Sequence, residues 1–257
     1  MSDILGSSHL SDARTSGLPW QATMSRHYVS ARQHAKWSPN DIGWTDGDLS
    51  AAWREWSWRV TSASVYAEQT GMIMAAKLSY EVDDLPARMC LATAASDEAK
   101  HIETFAKAAE ILGGHVMPVR EDTGAVYDQL IGLPDWMDRF VIHTLLESYA
   151  ADEFLLIGRR LGMSFPGQCY RFVRRDEARH VAMGLDYLAF RLKDKAFRNT
   201  AERLPELQTI ADRVGGVDDT FYQNLAKLVG QNAISVRQWF EHRHAVRLKQ
   251  LQATTNA

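Results

Sequence analysis

Cysteine is nearly missing from this 257-residue chain. The two present, Cys90 and Cys169, are too few for a disulfide scaffold and lack the CxxC or Cys/His spacing of structural zinc. They are expected to be reduced packing residues. Proline is also scarce, with seven in all and none between Leu49 and Val82, so nothing there interrupts a helix. Long apolar runs are absent: no uncharged stretch approaches the roughly 20 residues needed to cross a bilayer. The N-terminus MSDILGSSHL does not show the basic-then-apolar order of a secretory leader, and the expected location is the cytoplasm. The formal charge is only -3, with both signs interspersed. No broad cationic face is left for a phosphate backbone, so nucleic acid is not an expected partner.

What is present is ordinary for a folded chain with one large core, at 46% hydrophobic and 24% charged residues. Residues 1–45, rich in Ser, Gly, Asp and His, read as an N-terminal arm with one short helix near residues 23–35. Residues 46–257 read as a single domain. Its first long helix follows the cap candidate Asp48 and carries Val60, Ala63, Ala67, Met74 and Leu78 at helical spacing. A turn at Asp83-Asp84, with a cap and Pro86, starts a second helix that ends at Gly113-Gly114. Residues 114–134 are far longer than a hairpin needs and suit a crossover along the bundle, with room for a short helix. A third helix runs from about Asp135 to Leu161, stopped by Gly162, and a fourth from Pro166 to about Leu192. Pro205 and Gly215-Gly216 then divide the C-terminal helices, about 196–252, into shorter ones and a long final helix from about Asp219. No strand pattern appears, so the fold class is all-α, a four-helix bundle with one long crossover.

The chemistry-bearing pattern is duplicated. Asp97-Glu98-Ala99-Lys100-His101 and Asp176-Glu177-Ala178-Arg179-His180 repeat one D-E-x-x-H motif, whose Glu and His share a helix face. Thirty residues before each motif glutamate stands another, Glu68 before Glu98 and Glu147 before Glu177. The midpoints fall at residue 83 and at Gly162, in the two turns. Each glutamate is therefore roughly 22 Å from its turn, and all four meet at one depth. Four carboxylates in a core cost several kcal/mol per ion, and no Lys or Arg is expected on those faces at that depth. Two cations would offset the charge. Mixed carboxylate and imidazole ligands suit iron, with manganese or a mixed pair as the alternative. Asp97 is expected to accept the free ring N–H of His180, and Asp176 that of His101, fixing each tautomer.

Pairing glutamate helices with Glu-x-x-His helices resembles the ferritin-like di-iron carboxylate superfamily over roughly residues 49–192. The Asp-Glu-Ala-Arg-His-Val run and paired aspartates resemble its oxygen-activating branch, which includes bacterial hydroxylases, arylamine N-oxygenases, aldehyde-deformylating oxygenases and ribonucleotide reductase small subunits. The resemblance implies a di-iron centre held by Glu68, Glu98, His101, Glu147, Glu177 and His180. It also implies dioxygen as co-substrate, a small organic substrate, an external electron donor such as a ferredoxin or reductase, and a homodimer. Hydroxylation or N-oxygenation is the expected reaction; aldehyde deformylation and ferroxidase or iron-handling activity are the alternatives. Two departures matter. Phe105 stands four residues after His101, where the reductase subunit has its radical tyrosine, and Val173 stands where the arylamine N-oxygenases add a third histidine.

Around the expected ligands, His143, Ala151 and Phe105 are the candidate pocket neighbours. His143 reads as a hydrogen-bonded histidine, with metal ligation or substrate contact as sharper readings. Gly71, Ala94, Ala95, Ala150 and Gly184 leave room for dioxygen or allow close helix packing. Glu153 sits on a different helix face from Glu147 and breaks the thirty-residue symmetry. Glu241 and His244 form a third Glu-x-x-His, read as a solvated face because it has neither the preceding aspartate nor a partner glutamate. Six of the eight tryptophans, Trp20, Trp37, Trp44, Trp53, Trp56 and Trp58, are expected to cover one end of the bundle, with a substrate lid or electron path as alternatives.

Overall fold

The computed structural model describes residues 19–34, 36–45, 49–118 and 121–255, and no strand occurs among them. Helix α1, Pro19–His34, starts a turn before the expected helix and buries Met24 and Ala31, two turns apart, against the bundle. Cys90, buried and reduced, donates its thiol to the Met24 carbonyl at 3.2 Å. A short 3₁₀ turn, Pro39–Asp41, follows: the Ser38 hydroxyl accepts from Asn40 N and the Asp41 carboxylate from Ser38 N. This local closure seats Trp37 and Ile42 in the core.

Helix α2, Ala51–Glu81, is capped by Ser50, whose hydroxyl accepts from Trp53 N at 3.4 Å; Asp48 lies outside the described residues. Its inner stripe differs from the apolar spacing in the sequence. Ala63 and Ala67 are exposed, while Ser57, Thr61, Ser64 and Glu68 face inward, followed by Ala75 and Leu78. Two of the buried hydroxyls find a carbonyl one turn back, Thr61 to Ser57 at 2.8 Å and Ser64 to Val60 at 3.1 Å, whereas Ser57 Oγ has no partner.

Helix α3, Leu85–Gly113, has Pro86 in its first turn and ends at Gly114 with φ 83°. The expected cap at Asp84 makes no capping bond; its carboxylate accepts the Tyr187 hydroxyl at 2.9 Å, tying the turn to the fourth long helix. The crossover contains helix α4, Glu121–Ile131. It is fastened to α2 by Met117 N on Ser62 Oγ at 3.1 Å and by Lys77 Nζ on the Ile131 carbonyl at 2.7 Å. Helix α5, Trp136–Leu161, begins under the Asp135 cap, which accepts from Met137 N and Asp138 N and contributes ~1 kcal/mol. Ser164 and Pro166 start helix α6, Phe165–Arg191. Arg139 near the start of α5 bonds Glu81 at the end of α2, so the crossover has returned the chain to the α2–α3 turn. Helix α5 thus runs parallel to α3, and α6 runs parallel to α2.

Close approach of α5 and α6 depends on Gly184, where an added Cβ would lie 2.5 Å from Thr144 Oγ1 and 2.7 Å from its Cγ2. Of the two readings of this glycine, close packing is the one observed. Beyond α6 come α7, Arg198–Glu202, α8, Leu204–Val214, α9, Asp219–Val229, and α10, Ala233–Thr255. The single long final helix expected from Asp219 is two helices. Gly230 at φ 68° ends α9, and the Asn232 side chain accepts from Ser235 N to start α10. The Glu241–His244 face also departs from expectation: Glu241 is exposed, but His244 is buried against Tyr149 and Phe240. The cause is Asp152 of α5, buried and bonded to Arg243 and Arg247 at 2.8 and 2.7 Å, which pulls this stretch of α10 onto the bundle. No helix among the described residues is long and apolar enough to cross a membrane.

Gly184→Ala would push α5 and α6 apart, because rotating Thr144 moves one γ atom away only to bring the other in. Chemical denaturation should show a loss of about 1–3 kcal/mol; unchanged stability would contradict this packing.

Candidate metal centre

Two hairpins deliver six side chains to one depth: Glu68 from α2, Glu98 and His101 from α3, Glu147 from α5, Glu177 and His180 from α6, all buried. His101 Nδ1 lies 3.1 Å from Glu68, 3.2 Å from Glu98 and 3.1 Å from Glu177. His180 Nδ1 lies 3.2 Å from Glu98, 3.4 Å from Glu147 and 3.6 Å from Glu177. Glu98 and Glu177 therefore touch both imidazoles, whereas Glu68 and Glu147 each touch one. Two overlapping groups result, Glu68-Glu98-His101-Glu177 and Glu98-Glu147-Glu177-His180, each with ligand atoms within 4.8 Å of one another.

The far nitrogens of the rings meet the two aspartates, His101 Nε2 with Asp176 at 3.2 Å and His180 Nε2 with Asp97 at 3.4 Å. The expectation that no Lys or Arg reaches this depth is overturned. Lys100 lies 3.0 Å from Asp97 and 2.7 Å from Asp176, and Arg179 bonds both as well. These two cations sit beyond the imidazoles and match the two aspartates. The four glutamates, on the other side of the rings, share neither. The signal for them was in the sequence, since both copies of the repeat carry a basic residue just before the histidine.

Glutamate charge is divided unevenly as a result. Burial, reinforced by the Glu98 charge, holds Glu68 well above the usual carboxylate range. Burial, with Glu177 and Glu98, pushes Glu147 up to about 8. Burial also opposes ionisation of Glu98, but the Glu68 hydrogen bond and the His101 charge outweigh it and hold Glu98 well below the usual range. Glu177 is lowered too, as burial and Glu98 are overcome by bonds from Glu147 and the two histidines. For His101 and His180 burial favours the neutral ring, yet Glu98 and Asp97 respectively lead the contacts that raise both well above the ordinary imidazole value. Glu98 Oε1 and Glu177 Oε1 remain buried without a hydrogen bond, although an imidazole nitrogen lies 3.2 and 3.1 Å away. Orphaned carboxylate oxygens inside an all-carboxylate and imidazole donor set fit hard divalent or trivalent cations.

Trp37 was placed with the tryptophans covering one end and is found elsewhere. It donates Nε1–H to Asp176 at 2.8 Å and stacks on His101 with centroids 6.0 Å apart and planes 9° apart. Trp44, Trp53, Trp56 and Trp58 do gather at the Gly113 and Gly162 end, against Phe165, Arg160 and Gly113; the side chain of Trp20 lies outside the described residues. His143 Nδ1 lies 3.3 Å from Glu147, and Ala151 is buried one turn beyond that glutamate. Phe105 packs into an aromatic cluster with Tyr170 and Phe154 at 4.9 and 5.7 Å. Gly71 lies beside the centre, where a Cβ would sit 3.3 Å from Glu98 Cδ. Glu153 is outside both ligand groups, its carboxyl raised to about 7 by burial.

This is the ferritin-like helical fold of the ribonucleotide reductase small-subunit type. Solved structures of R2-like ligand-binding oxidases share it. A point mutant with an anaerobically reconstituted Mn/Fe cofactor matches at 17% identity and TM-score 0.68, over 91% of this chain and 95% of that one. The oxidase with an aerobically reconstituted Mn/Fe cofactor matches at 18% and 0.64, over 91% and 94%. A further mutant, with an Fe/Fe cofactor, matches at 17% and 0.60, over 93% and 97%. No family model matches the chain, and no curated protein matches its sequence.

Raised values for Glu68, Glu147, His101 and His180 mean that the folded metal-free protein holds protons the unfolded chain would release. Stability from these groups is present at low pH and lost as pH rises from the ordinary carboxylate range through about 8 for Glu147. Melting temperature of the metal-free protein should therefore fall across that window. Metal binding should release protons, read as a buffer-dependent calorimetric enthalpy; a buffer-independent enthalpy would contradict this assignment.

Proposed function

We propose that this chain is a non-haem di-metal oxidoreductase of the oxygenase or oxidase type. In this reading Glu68, Glu98, His101, Glu147, Glu177 and His180 hold two iron ions, or a manganese and an iron. The centre activates dioxygen to hydroxylate or N-oxygenate a small organic substrate. The observation that carries it is the cluster itself: two ligand groups sharing Glu98 and Glu177, with two carboxylates beyond what protein cations neutralise at each half. When bound, the metals supply the redox chemistry for dioxygen, with electrons from an external donor such as a ferredoxin or reductase.

The protein's part follows from its geometry. Asp176 and Asp97 accept the Nε2–H of His101 and His180, so each ring turns the lone pair of Nδ1 toward the glutamates. Lys100 and Arg179 keep those aspartates ionised and aimed. Glu98 and Glu177 reach both half-sites, and Glu68 and Glu147 close the ends. Gly71 lets α2 pack closely against the Glu98 side chain, since an added Cβ would lie 3.3 Å from Glu98 Cδ. Phe105 in place of a tyrosine removes the oxidisable phenol that would store a radical there. Trp37, stacked on His101 and bonded to Asp176, gives the N-terminal arm a route for electrons to the centre. His143 stands beside Glu147, where it can hold that carboxylate in place.

Iron or manganese analysis should find about two ions per chain. Glu98→Ala and Glu177→Ala should empty both half-sites, while Glu68→Ala should leave about one ion. Asp176→Ala should weaken metal retention by about 10- to 100-fold with the fold intact. Reduced, metal-loaded protein should take up dioxygen and transfer isotopic oxygen to an organic product. Uptake no faster than that of Glu98→Ala would sink the proposal, and uptake with only ferric iron as product would reassign the chain to iron handling.

A further inference from the structure

Trp37 is an oxidisable side chain stacked on an expected metal ligand, 6.0 Å from the His101 ring with planes 9° apart, and it is 8% exposed. An indole so placed can pass an electron inward, and it can also surrender one of its own to an oxidised metal pair. Three features of its surroundings oppose that loss. Lys100 Nζ lies 4.4 Å from the centroid of the Trp37 ring, a cation–π contact that favours the neutral ring and repels a positively charged one.

The indole proton has no free acceptor. An oxidised indole is acidic and gives up its N–H proton where a base can take it. Trp37 Nε1 donates to Asp176 Oδ2 at 2.8 Å, but the same oxygen lies 2.7 Å from Lys100 Nζ and 3.2 Å from His101 Nε2, and the other oxygen is bonded by Arg179. A carboxylate oxygen offers about two lone-pair sites, so three donors leave none over. Asp176 orients the indole without being free to deprotonate it. Nor does the next ring offer an onward step. Phe172, 5.2 Å from Trp37, is a phenyl group that does not lose an electron under conditions that oxidise indole, and the Arg175 guanidinium lies 5.0 Å from it.

We infer that Lys100 is a positioning residue that keeps Trp37 reduced, so that the oxidising equivalents of the centre go to the organic substrate and none is lost to the N-terminal arm. The inference rests on the reading of the cluster as an oxygen-activating centre. The step that Lys100 suppresses is a one-electron transfer: Trp37 loses an electron, the metal pair oxidised by dioxygen gains it, and the N–H proton stays on the indole cation radical. Phe105 closes a second such exit, since a phenyl group stands there instead of a phenol.

The test is freeze-quench electron paramagnetic resonance of the reduced, metal-loaded full chain after mixing with dioxygen. The wild type should show no tryptophan radical. Lys100→Gln removes the charge and keeps a side chain that can bond the aspartates; it should raise the radical yield at least about tenfold, the order expected on removing a unit charge this close. Adding Trp37→Phe to that variant should abolish the signal, and Lys100→Arg, which keeps the charge, should behave as wild type. A wild-type tryptophan radical that Trp37→Phe removes would overturn the inference whether or not Lys100→Gln folds, as would equal yields from wild type and folded Lys100→Gln. A second readout does not depend on the metals: metal-free full chain is oxidised with photogenerated tris(bipyridyl)ruthenium(III), and oxidation of Trp37 relative to Trp56 is read by peptide mass spectrometry. Lys100→Gln should raise that ratio about tenfold, and an unchanged ratio rejects the role of Lys100. A raised ratio in a chain that takes up no dioxygen supports the role of Lys100 and rejects the oxygen-activating reading.

Discussion

Four glutamates buried side by side are the constraint on which the rest of this structure depends. Removing a carboxylate from water costs several kcal/mol even after the surroundings relax, and here the nearest fixed cations, Lys100 and Arg179, are committed to Asp97 and Asp176. Protons or metal ions must supply the missing positive charge. Without metal, protons collect on Glu68, Glu147 and the two imidazoles, while Glu98 and Glu177 stay ionised between the rings. That division follows position: the glutamates in contact with both histidines ionise, and those in contact with one do not. The same asymmetry separates shared from terminal ligands in the proposed centre.

Holding these groups in place requires a stiff frame, since repelling carboxylates would otherwise spread apart. Much of the frame is polar. The aspartates join α3 to α6 through Lys100 and Arg179, and on the inner stripe of α2 the Thr61 and Ser64 hydroxyls bond their own helix. Apolar packing is concentrated above and below the centre, at Leu78, Leu91 and Phe140 on one side and Phe105, Phe154 and Tyr170 on the other. A dry, polar middle between two apolar layers limits water access to the ligands and increases the strength of every electrostatic contact among them.

The segments outside the four long helices serve the centre in different ways. The N-terminal arm lays α1 along the bundle and inserts Trp37 between His101 and Phe172, reaching the expected ligands from the side. The C-terminal helices cover α5, anchored by the buried Asp152 and its two arginines. Losing both ion pairs would leave the buried Asp152 charge unmatched, which holds this cover against α5.

Local patterns made the bundle legible from the chain alone. Proline-free runs between turn residues marked four long helices, and the thirty-residue interval around each turn placed four glutamates at one depth, because helical rise per residue is constant. The ring-to-aspartate pairings were readable from the repeat, since each copy sets an aspartate just before its glutamate and a histidine three residues after it. Other features depend on which helix lies against which face. Lys100 and Arg179 read as ordinary surface charges until α3 and α6 are brought together, and Trp37 reads as one of an arm's tryptophans until α1 docks. His244 looked solvated because its own helix is mostly polar, and it is buried by Asp152, some ninety residues earlier in the chain. Periodicity and spacing are properties of one helix, so sequence determined the elements and the depth of the expected ligands. Burial and ion pairing are properties of helices in contact, and only the tertiary structure decided them.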